Sequence, residues 1–311
     1  MPPALANWHP PRAPIARVGE VDEPRASPVT SASLNDQAPL VGSGLRTLAN
    51  GLDHPEGVCW CPVARAVYAG GEAGQLYRFG LGGGAVETVA TAPGGFLLGL
   101  AVDAVGSVYA CDPNAGHVLR ISPGGEVEPF GDRVGYPNYP VFDGDGNLWV
   151  TDSGTWDEVS GGLVRIAPDG STERVAGPFR FANGLAISGD HLYMVESQLP
   201  GVVRMPLAGG IFETVVVLPR TVPDGLAFDA EGGLWIGCYQ PNRIYRLAAD
   251  GRLEVIVDDW TGEYVLSPTN LAFAGEELDA LVLASLCGWA VKAIDPGLRG
   301  AALERPEPRD R

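Results

Sequence analysis

The sequence lacks any apolar run of the roughly 18–20 residues that a membrane-spanning helix requires, so we expect no membrane partner. It is also poor in basic residues, since 21 Lys and Arg stand against 38 Asp and Glu, for a net charge of −17. Phosphate backbones and anionic lipid surfaces repel such a chain, which argues against nucleic acid as a partner. The N-terminal stretch has no charged segment followed by an apolar one. We therefore expect no secretion signal and a cytoplasmic location.

Cysteine and histidine are scarce as well. The five cysteines are an odd number and are scattered along the sequence, which argues against a disulfide framework and predicts buried free thiols. None of the four histidines pairs recognisably with a serine nucleophile. A Ser-His-Asp hydrolase is therefore not expected.

Glycine, in contrast, is abundant, with 43 residues, and short apolar runs alternate with turns, which is typical of β structure. One pattern recurs as HPEGVCWC, FLLGLAVD, YPNYPVFD, FANGLAIS, VPDGLAFD and SPTNLAFA. Its variable position falls at Glu56, Leu98, Asn138, Asn183, Asp224 and Thr269, at intervals of 40 to 45 residues. Six units of this length predict an all-β fold, a six-bladed β-propeller of four-stranded blades.

The units also predict how the ring closes. The first strands of the third and fifth units are predicted at Val141–Asp143 and Leu226–Asp229. The sixth unit has no fourth strand, whereas Leu45–Ala49 has the pattern of a strand without a unit. Pairing these two leaves no open sheet edge. We therefore predict a propeller over residues 42–297, preceded by a Pro/Ala-rich segment over 1–41 and followed by a tail over 298–311.

The variable position carries the chemistry, because equivalent positions of the innermost strands point at one axis. Four of the six residues offer hard oxygen donors: Glu56, Asn138, Asn183 and Asp224. Two carboxylates and two amides meeting without a partner are costly to bury, whereas a divalent cation neutralises them. All-oxygen ligation favours Ca²⁺, with Mg²⁺ or Mn²⁺ as alternatives. Zn²⁺ is a further alternative that is less favoured, because no Cys or His stands in the column.

The motifs HPEG, YPNYPVFDGDGNLWVTD, ANGLAIS, PDGLAFDAEGGLWIG and SPTNLAFAGEELDALVLAS resemble the senescence marker protein/gluconolactonase/luciferin-regenerating family over about residues 44–295. The resemblance implies a six-bladed propeller with one divalent ion, usually calcium, and hydrolysis of lactones. In the similar diisopropyl fluorophosphatases, organophosphorus esters are hydrolysed instead. The family's metal ligands correspond to Glu56, Asn138, Asn183 and Asp224, and the counterpart of Asp224 is also the proposed base in the sugar lactonases.

The sequence departs from the sugar lactonases beside Asn138. Those members usually carry an Arg two residues before this Asn and an Asp directly after it, where this chain has Tyr136 and Tyr139. An Arg grips hydroxyl groups with a fork of donors, while a Tyr mainly offers a flat apolar face. The departure therefore argues against a gluconolactone-like substrate.

The loops at the channel mouth are predicted to contact the substrate. They contain many aromatic residues, which favours an aromatic or apolar small molecule. Two carboxylates follow second strands and are also candidate contacts. The predicted substrate-binding residues are Tyr136, Tyr139, Trp156, Phe181, Tyr239, Trp289, Asp152 and Glu196.

These features predict a metal-dependent hydrolase of the lactonase or esterase type, in which the ion polarises the carbonyl of a cyclic ester. Asp224 is the expected general base, and Glu56 is a weaker candidate for that role. One alternative is a metal-dependent isomerase, cyclase or rearrangement enzyme of secondary metabolism on the same fold. The other is a propeller that binds a ligand without catalysis and holds a purely structural ion.

Overall fold

Six antiparallel sheets of four strands each form the blades of a propeller in the computed structural model, which describes residues 44–308. No α-helix occurs in this part of the chain, and so none that is long and apolar enough to cross a membrane. The innermost strand of every blade contacts the innermost strands of the two neighbouring blades. The predicted six-bladed propeller is therefore confirmed.

Each blade takes four strands that follow one another outward from the channel, except in the last blade. The first three blades contain β2–β5 (Val58–Cys61, Ala66–Gly70, Gln75–Phe79, Glu87–Thr91), β6–β9 (Leu100–Val102, Val108–Asp112, His117–Ile121, Val127–Phe130) and β10–β13 (Pro137–Phe142, Leu148–Asp152, Gly161–Ile166, Thr172–Phe179). Blades four to six contain β14–β17 (Ala182–Ser188, His191–Glu196, Gly201–Pro206, Glu213–Val217), β18–β21 (Val222–Phe228, Leu234–Gln240, Arg243–Leu247, Leu253–Asp258) and β22–β24 (Pro268–Ala274, Ala280–Ser285, Ala290–Ile294).

The sixth blade is completed by β1 (Arg46–Asn50), which comes from the other end of the propeller sequence. This strand pairs antiparallel with β24, in a register that joins Arg46 to Ala293 and Asn50 to Ala290. The predicted closure by an N-terminal strand is confirmed. Because the last blade takes its outermost strand from the start of the ring, the first and last blades are held together by backbone hydrogen bonds.

Apolar side chains pack between neighbouring blades and hold them at a fixed spacing. One such cluster joins Val195 and Val202 of the fourth blade to Leu226 and Ile236 of the fifth. Four of the five cysteines are buried within the blades as free thiols, as predicted. Cys287 is exposed, so the prediction of buried thiols is wrong for this residue, which lies in the β23–β24 turn.

A buried aspartate at the end of an innermost strand locks the turn that follows. In the fifth blade, Asp229 Oδ1 accepts hydrogen bonds from the backbone N–H groups of Glu231 (2.9 Å) and Gly233 (2.8 Å). Its Oδ2 accepts from Trp235 Nε1 (2.8 Å) and from Arg246 Nε (2.7 Å). These donors hold the pKa of Asp229 below its usual range despite its burial. The carboxylate thus fixes the turn, the tryptophan and the third strand together.

We expect Asp229→Ala to lower the free energy of unfolding by about 3 kcal/mol, because it leaves the buried Nε of Arg246 and an indole N–H without a partner. Urea unfolding measures the loss. Glu231→Ala is the matched control, since it removes an exposed partner of the same Arg246 and should cost less than about 1 kcal/mol. Equal losses in the two variants would contradict the assigned role of Asp229.

The C-terminal residues cover the end of the channel where the innermost strands finish. Ala301 N donates to Phe228 O (2.9 Å), and Ala104 N donates to Pro306 O (3.0 Å), so this segment runs from the fifth blade to the second. Innermost strands of all six blades and residues 301–305 line a cavity of about 70 Å³ beneath it. The open mouth therefore lies at the other end, where the innermost strands begin. The segment boundaries remain predictions, and residues 1–41 lie outside the described residues.

Candidate metal centre

A β-bulge lies at the start of four innermost strands, and in each case it contains the variable position of the repeat. In β10, Pro137 pairs with Asp152 and Pro140 pairs with Val150, so Asn138 and Tyr139 together oppose one residue. The same two-against-one pairing contains Asn183 in β14, Asp224 in β18 and Thr269 in β22. Bulges of this kind redirect side chains and are frequent beside active sites.

The starts of neighbouring innermost strands touch, and this closeness explains the glycines of the repeat. A Cβ atom on Gly57 would lie 1.9 Å from the carbonyl oxygen of Leu98, and one on Gly184 would lie 2.2 Å from that of Asp224. No side chain fits in these gaps, so glycine is required where the backbones meet. The variable positions of adjacent blades consequently lie close together.

A serine orients each of the two asparagine side chains. Ser153 Oγ donates its only proton to Ala182 O (2.7 Å), so it can only accept from the Asn138 amide, whose Nδ2 lies 2.9 Å away. Ser197 acts in the same way, donating to Pro223 O (2.7 Å) and accepting from the Nδ2 of Asn183 (3.2 Å). In both asparagines the side-chain nitrogen therefore donates to a serine, and the side-chain oxygen has no hydrogen-bond partner.

Four buried oxygens at this end of the channel have no hydrogen-bond donor: Oδ1 of Asn138, Asn183, Asp224 and Asn270. Their side chains are 1–6 % exposed, as is the predicted ligand Glu56 at 6 %. Buried polar atoms without partners are rare in folded proteins. A hard divalent cation would satisfy them, because Ca²⁺ prefers carboxylate and amide oxygens. The residues present therefore fit the predicted ion.

The two carboxylates are electrostatically unfavourable without a counter-ion. Burial raises the pKa of Glu56 well above its usual range, and the negative charge of Asp224 raises it further. Burial likewise raises the pKa of Asp224 to about 7. Among the residues that the structure describes, no basic side chain pairs with either carboxylate, and the only side-chain donor bonded to Glu56 is Asn270 Nδ2, at 3.2 Å. The centre thus has the charge of a cation site.

The carboxylates that end the second strands of blades three and four hold the mouth loops in place. Asp152 Oδ1 accepts from Tyr136 N (2.8 Å), and its Oδ2 accepts from Arg174 Nη1 (3.0 Å). Glu196 Oε2 accepts from Arg180 N (2.9 Å), and burial raises the pKa of this carboxyl group. Both groups were predicted to contact substrate. The structure gives them loop-anchoring contacts, directly beside Tyr136 and next to Phe181.

Aromatic rings surround the mouth in two groups. Phe181 packs edge-on against Trp156, with ring centroids 4.8 Å apart, and lies 6.4 Å from Tyr136. On the opposite side of the ring, Trp289 packs edge-on against His54, at 5.7 Å. Trp156 and Trp289 are 46 % and 54 % exposed, so their faces are open to a ligand. The structure therefore brings these predicted aromatic residues to the same end of the propeller.

Two other predicted substrate contacts occupy different places. Tyr139 is 7 % exposed, packs in the cluster that contains Leu185, and lines the enclosed cavity of the channel. It therefore lies in β10 itself and not in a mouth loop. Tyr239 is at the end of β19, with its hydroxyl 4.0 Å from the Sγ of Cys287.

Sequence reasoning missed three residues of the centre: Ser153, Ser197 and Asn270. A signal for the serines exists, because each directly follows the carboxylate that ends a second strand, as Asp-Ser or Glu-Ser, in the two blades whose variable residue is Asn. Asn270 stands beside Thr269, where four of the other five units have glycine. The asparagine at a position that is usually glycine in this repeat was therefore the sequence signal that could have identified Asn270.

Comparison with known proteins gives one family for this chain. The family model described as SMP-30/Gluconolactonase/LRE-like region matches residues 131–286, which is half of the chain. The 6-deoxy-6-sulfogluconolactonase of Pseudomonas putida is 30% identical over 155 residues, covering 45% of this chain and 48% of that protein. Pentonolactonase XacC of Haloferax volcanii is 27% identical over 256 residues, covering 75% and 81%.

A solved structure shares the fold. It is described as a calcium-binding protein, regucalcin, from Agrobacterium tumefaciens, and it superposes with a TM-score of 0.72. The match covers 86% of this chain and 98% of that one, at 17% identity. The match to the Pseudomonas putida enzyme, in contrast, spans about half of that relative's length.

Proposed function

This chain belongs to the SMP-30/gluconolactonase/LRE-like family, as its motifs predicted, and from this premise we propose that it is a metal-dependent hydrolase that opens a lactone or a related ester. The proposed centre is the set of Glu56, Asn138, Asn183 and Asp224. Ca²⁺ is the proposed ion, because the donors are all hard oxygens. The relatives named as lactonases and the calcium-binding relative support both parts of the proposal.

The observation that carries the proposal is the set of buried oxygens without donors. Asn138 and Asn183 each have their nitrogen bound to a serine, so their free oxygens are fixed in orientation before any ligand arrives. A purely structural role would not require these polar groups. Well-packed apolar side chains of similar volume often replace buried charged groups without loss of stability. Retaining two carboxylates and two aligned amides favours a functional site.

In the proposed mechanism, one of the two carboxylates accepts a proton from the attacking water. A bound Ca²⁺ would supply Lewis-acid polarisation of the ester carbonyl. Asp224 acts as the general base: its carboxylate accepts a proton from the water that attacks the carbonyl carbon, and it returns this proton to the ring oxygen as the C–O bond breaks and the ring opens. Glu56 holds the second negative charge of the site. The mouth loops anchored by Asp152 and Glu196 hold the substrate above these groups.

We further propose that the substrate carries an aromatic or broad apolar group. Trp156, Phe181 and Tyr136 form a continuous aromatic surface on one side of the mouth, and Trp289 offers another. Such faces bind flat or apolar groups, whereas sugar hydroxyls need a larger number of directed donors.

A metal analysis combined with a hydrolysis screen tests the proposal. Purified protein should contain or bind one Ca²⁺ per chain, and it should release acid from a lactone panel in a pH-stat. Lactones with aryl or alkyl substituents should give higher kcat/KM values than sugar lactones. Absence of hydrolysis across lactones and phosphotriesters, with and without added Ca²⁺, would overturn the hydrolase assignment.

The same screen separates the alternatives. An isomerase or cyclase would consume the substrate without releasing acid, and mass spectrometry would find a product of unchanged mass. A binder with a structural ion would lose only thermal stability on Glu56→Gln substitution. In both cases the aromatic mouth would still bind ligands, so binding alone does not decide between them.

Removing an orienting serine should weaken the cation site. We expect Ser153→Ala to lower Ca²⁺ affinity about 10-fold, because the Asn138 amide loses the contact that fixes its oxygen, and outer contacts of this kind typically contribute 10- to 100-fold. Isothermal titration calorimetry measures the affinity. Ser107→Ala is the control, since Ser107 is equally buried but lies beyond the innermost strand of another blade. Unchanged affinity in Ser153→Ala would contradict this role.

A further inference from the structure

Asn270 carries the same pattern of contacts as the two predicted asparagine ligands, although it stands outside the variable column. It is 1 % exposed, its nitrogen is hydrogen-bonded, and its Oδ1 has no donor. The partner of its nitrogen is not a serine but the carboxylate of Glu56, with Nδ2 3.2 Å from Oε2.

The bulge in β22 explains how this contact arises. Thr269 and Asn270 together oppose Ala284, so two consecutive residues face the neighbouring first blade. Thr269 Oγ1 donates to the backbone oxygen of Glu56 (2.7 Å), while Asn270 donates to its side chain. Where other blades have glycine, as at Gly225, an added Cβ would meet the next blade within 3 Å. Blade six therefore has the side-chain amide of Asn270 at the position where blade five has Gly225.

Glu56 has particular need of such support. Its carboxylate is buried beside a second carboxylate, and no serine follows the second strand of its blade, where Glu72 occupies the equivalent position. A long, flexible side chain without a partner would lose several rotamers on ordering, which costs free energy when a ligand binds. One hydrogen bond from a rigid bulge removes much of that cost.

We propose that Asn270 is a positioning residue of the cation site, which holds the Glu56 carboxylate in place through its amide nitrogen. This inference rests on the proposed metal centre and goes beyond it by adding a sixth-blade residue that the repeat does not predict. The role belongs to the N–H group, because the carboxylate is an acceptor only.

Calorimetric titration of Ca²⁺ into the full-length, metal-free protein tests this role. We expect Asn270→Ala to reduce affinity 10- to 100-fold, in the range found for residues that orient metal ligands. Asn270→Asp should bind no better than Asn270→Ala, because it cannot donate to Glu56 and repels it. The melting temperature with and without Ca²⁺ gives a second readout, in which the calcium-induced rise should shrink in both variants.

Asn242→Ala is the matched control. Asn242 is another buried asparagine with two hydrogen bonds, to Asp259 O and from Ser267 N, but it does not touch Glu56. It should lower the melting temperature and leave Ca²⁺ affinity unchanged. Wild-type affinity in Asn270→Ala, or tighter binding by Asn270→Asp, would overturn the positioning role while leaving the hydrolase proposal intact. A wild-type protein that binds no divalent ion would overturn both.

Discussion

Asp224→Asn should lower kcat for lactone hydrolysis at least about 100-fold at saturating Ca²⁺, because general-base catalysis typically contributes 10²- to 10⁴-fold. The substitution keeps the shape of the side chain and one oxygen, while it removes the proton acceptor. Asp224 is suited to the role because its carboxylate is buried at the start of β18 and no hydrogen-bond donor occupies its Oδ1. A bound Ca²⁺ would favour the deprotonated carboxylate, which is the form that accepts a proton.

Glu56→Gln separates loss of the base from loss of the metal. Both variants remove one of two buried negative charges, so both should bind Ca²⁺ more weakly. With Ca²⁺ raised to saturation, however, Glu56→Gln should recover much more activity than Asp224→Asn, because it keeps the base. Calorimetry establishes saturation, and initial rates in a pH-stat give kcat. If Asp224→Asn kept more than about a tenth of wild-type kcat, Asp224 would not be the base.

The architecture was predictable because its signals are local and repeated six times. A turn, a glycine and an apolar run recur at each unit, and equivalent positions of a propeller converge whatever the details of their loops. The starts of the innermost strands were less predictable. The fifth was expected to begin at Leu226, whereas β18 begins at Val222, because the PDG triplet is part of a bulged strand and not a turn that precedes one.

Contacts between distant parts of the chain explain what the sequence did not reveal. Asn270 and Glu56 are 214 residues apart and meet only because the ring closes between the sixth and first blades. Asp152 shows a second limit. Its position at a strand end was visible in the sequence, but two of the donors that occupy its oxygens come from another loop and another strand. A predicted substrate contact thus has the geometry of a loop anchor.

Metal-free protein should become less stable as the pH rises from about 5 to about 8. Glu56 and Asp224 have raised pKa values in the folded state, Asp224 at about 7, whereas an unfolded chain has ordinary values near 4. The folded state therefore holds these protons more tightly, and the associated stability is present at low pH and is lost as the pH rises through the folded pKa values. A shift of about three units corresponds to roughly 4 kcal/mol, as an order of magnitude.

Ca²⁺ should reverse this loss, and more strongly at high pH than at low pH, because the ion binds the deprotonated carboxylates. At 100 times its Kd, a ligand adds about 2.7 kcal/mol. Calorimetric melting with chelator or with Ca²⁺ at several pH values measures both effects. Asp229 and Asp259 do not interfere in this window, because their lowered pKa values affect stability only at more acidic pH. Asp224→Asn is the control, since the stability of its metal-free form should depend less on pH. If metal-free wild-type protein instead gained stability toward pH 8, these carboxylates would not share a buried site without a counter-charge.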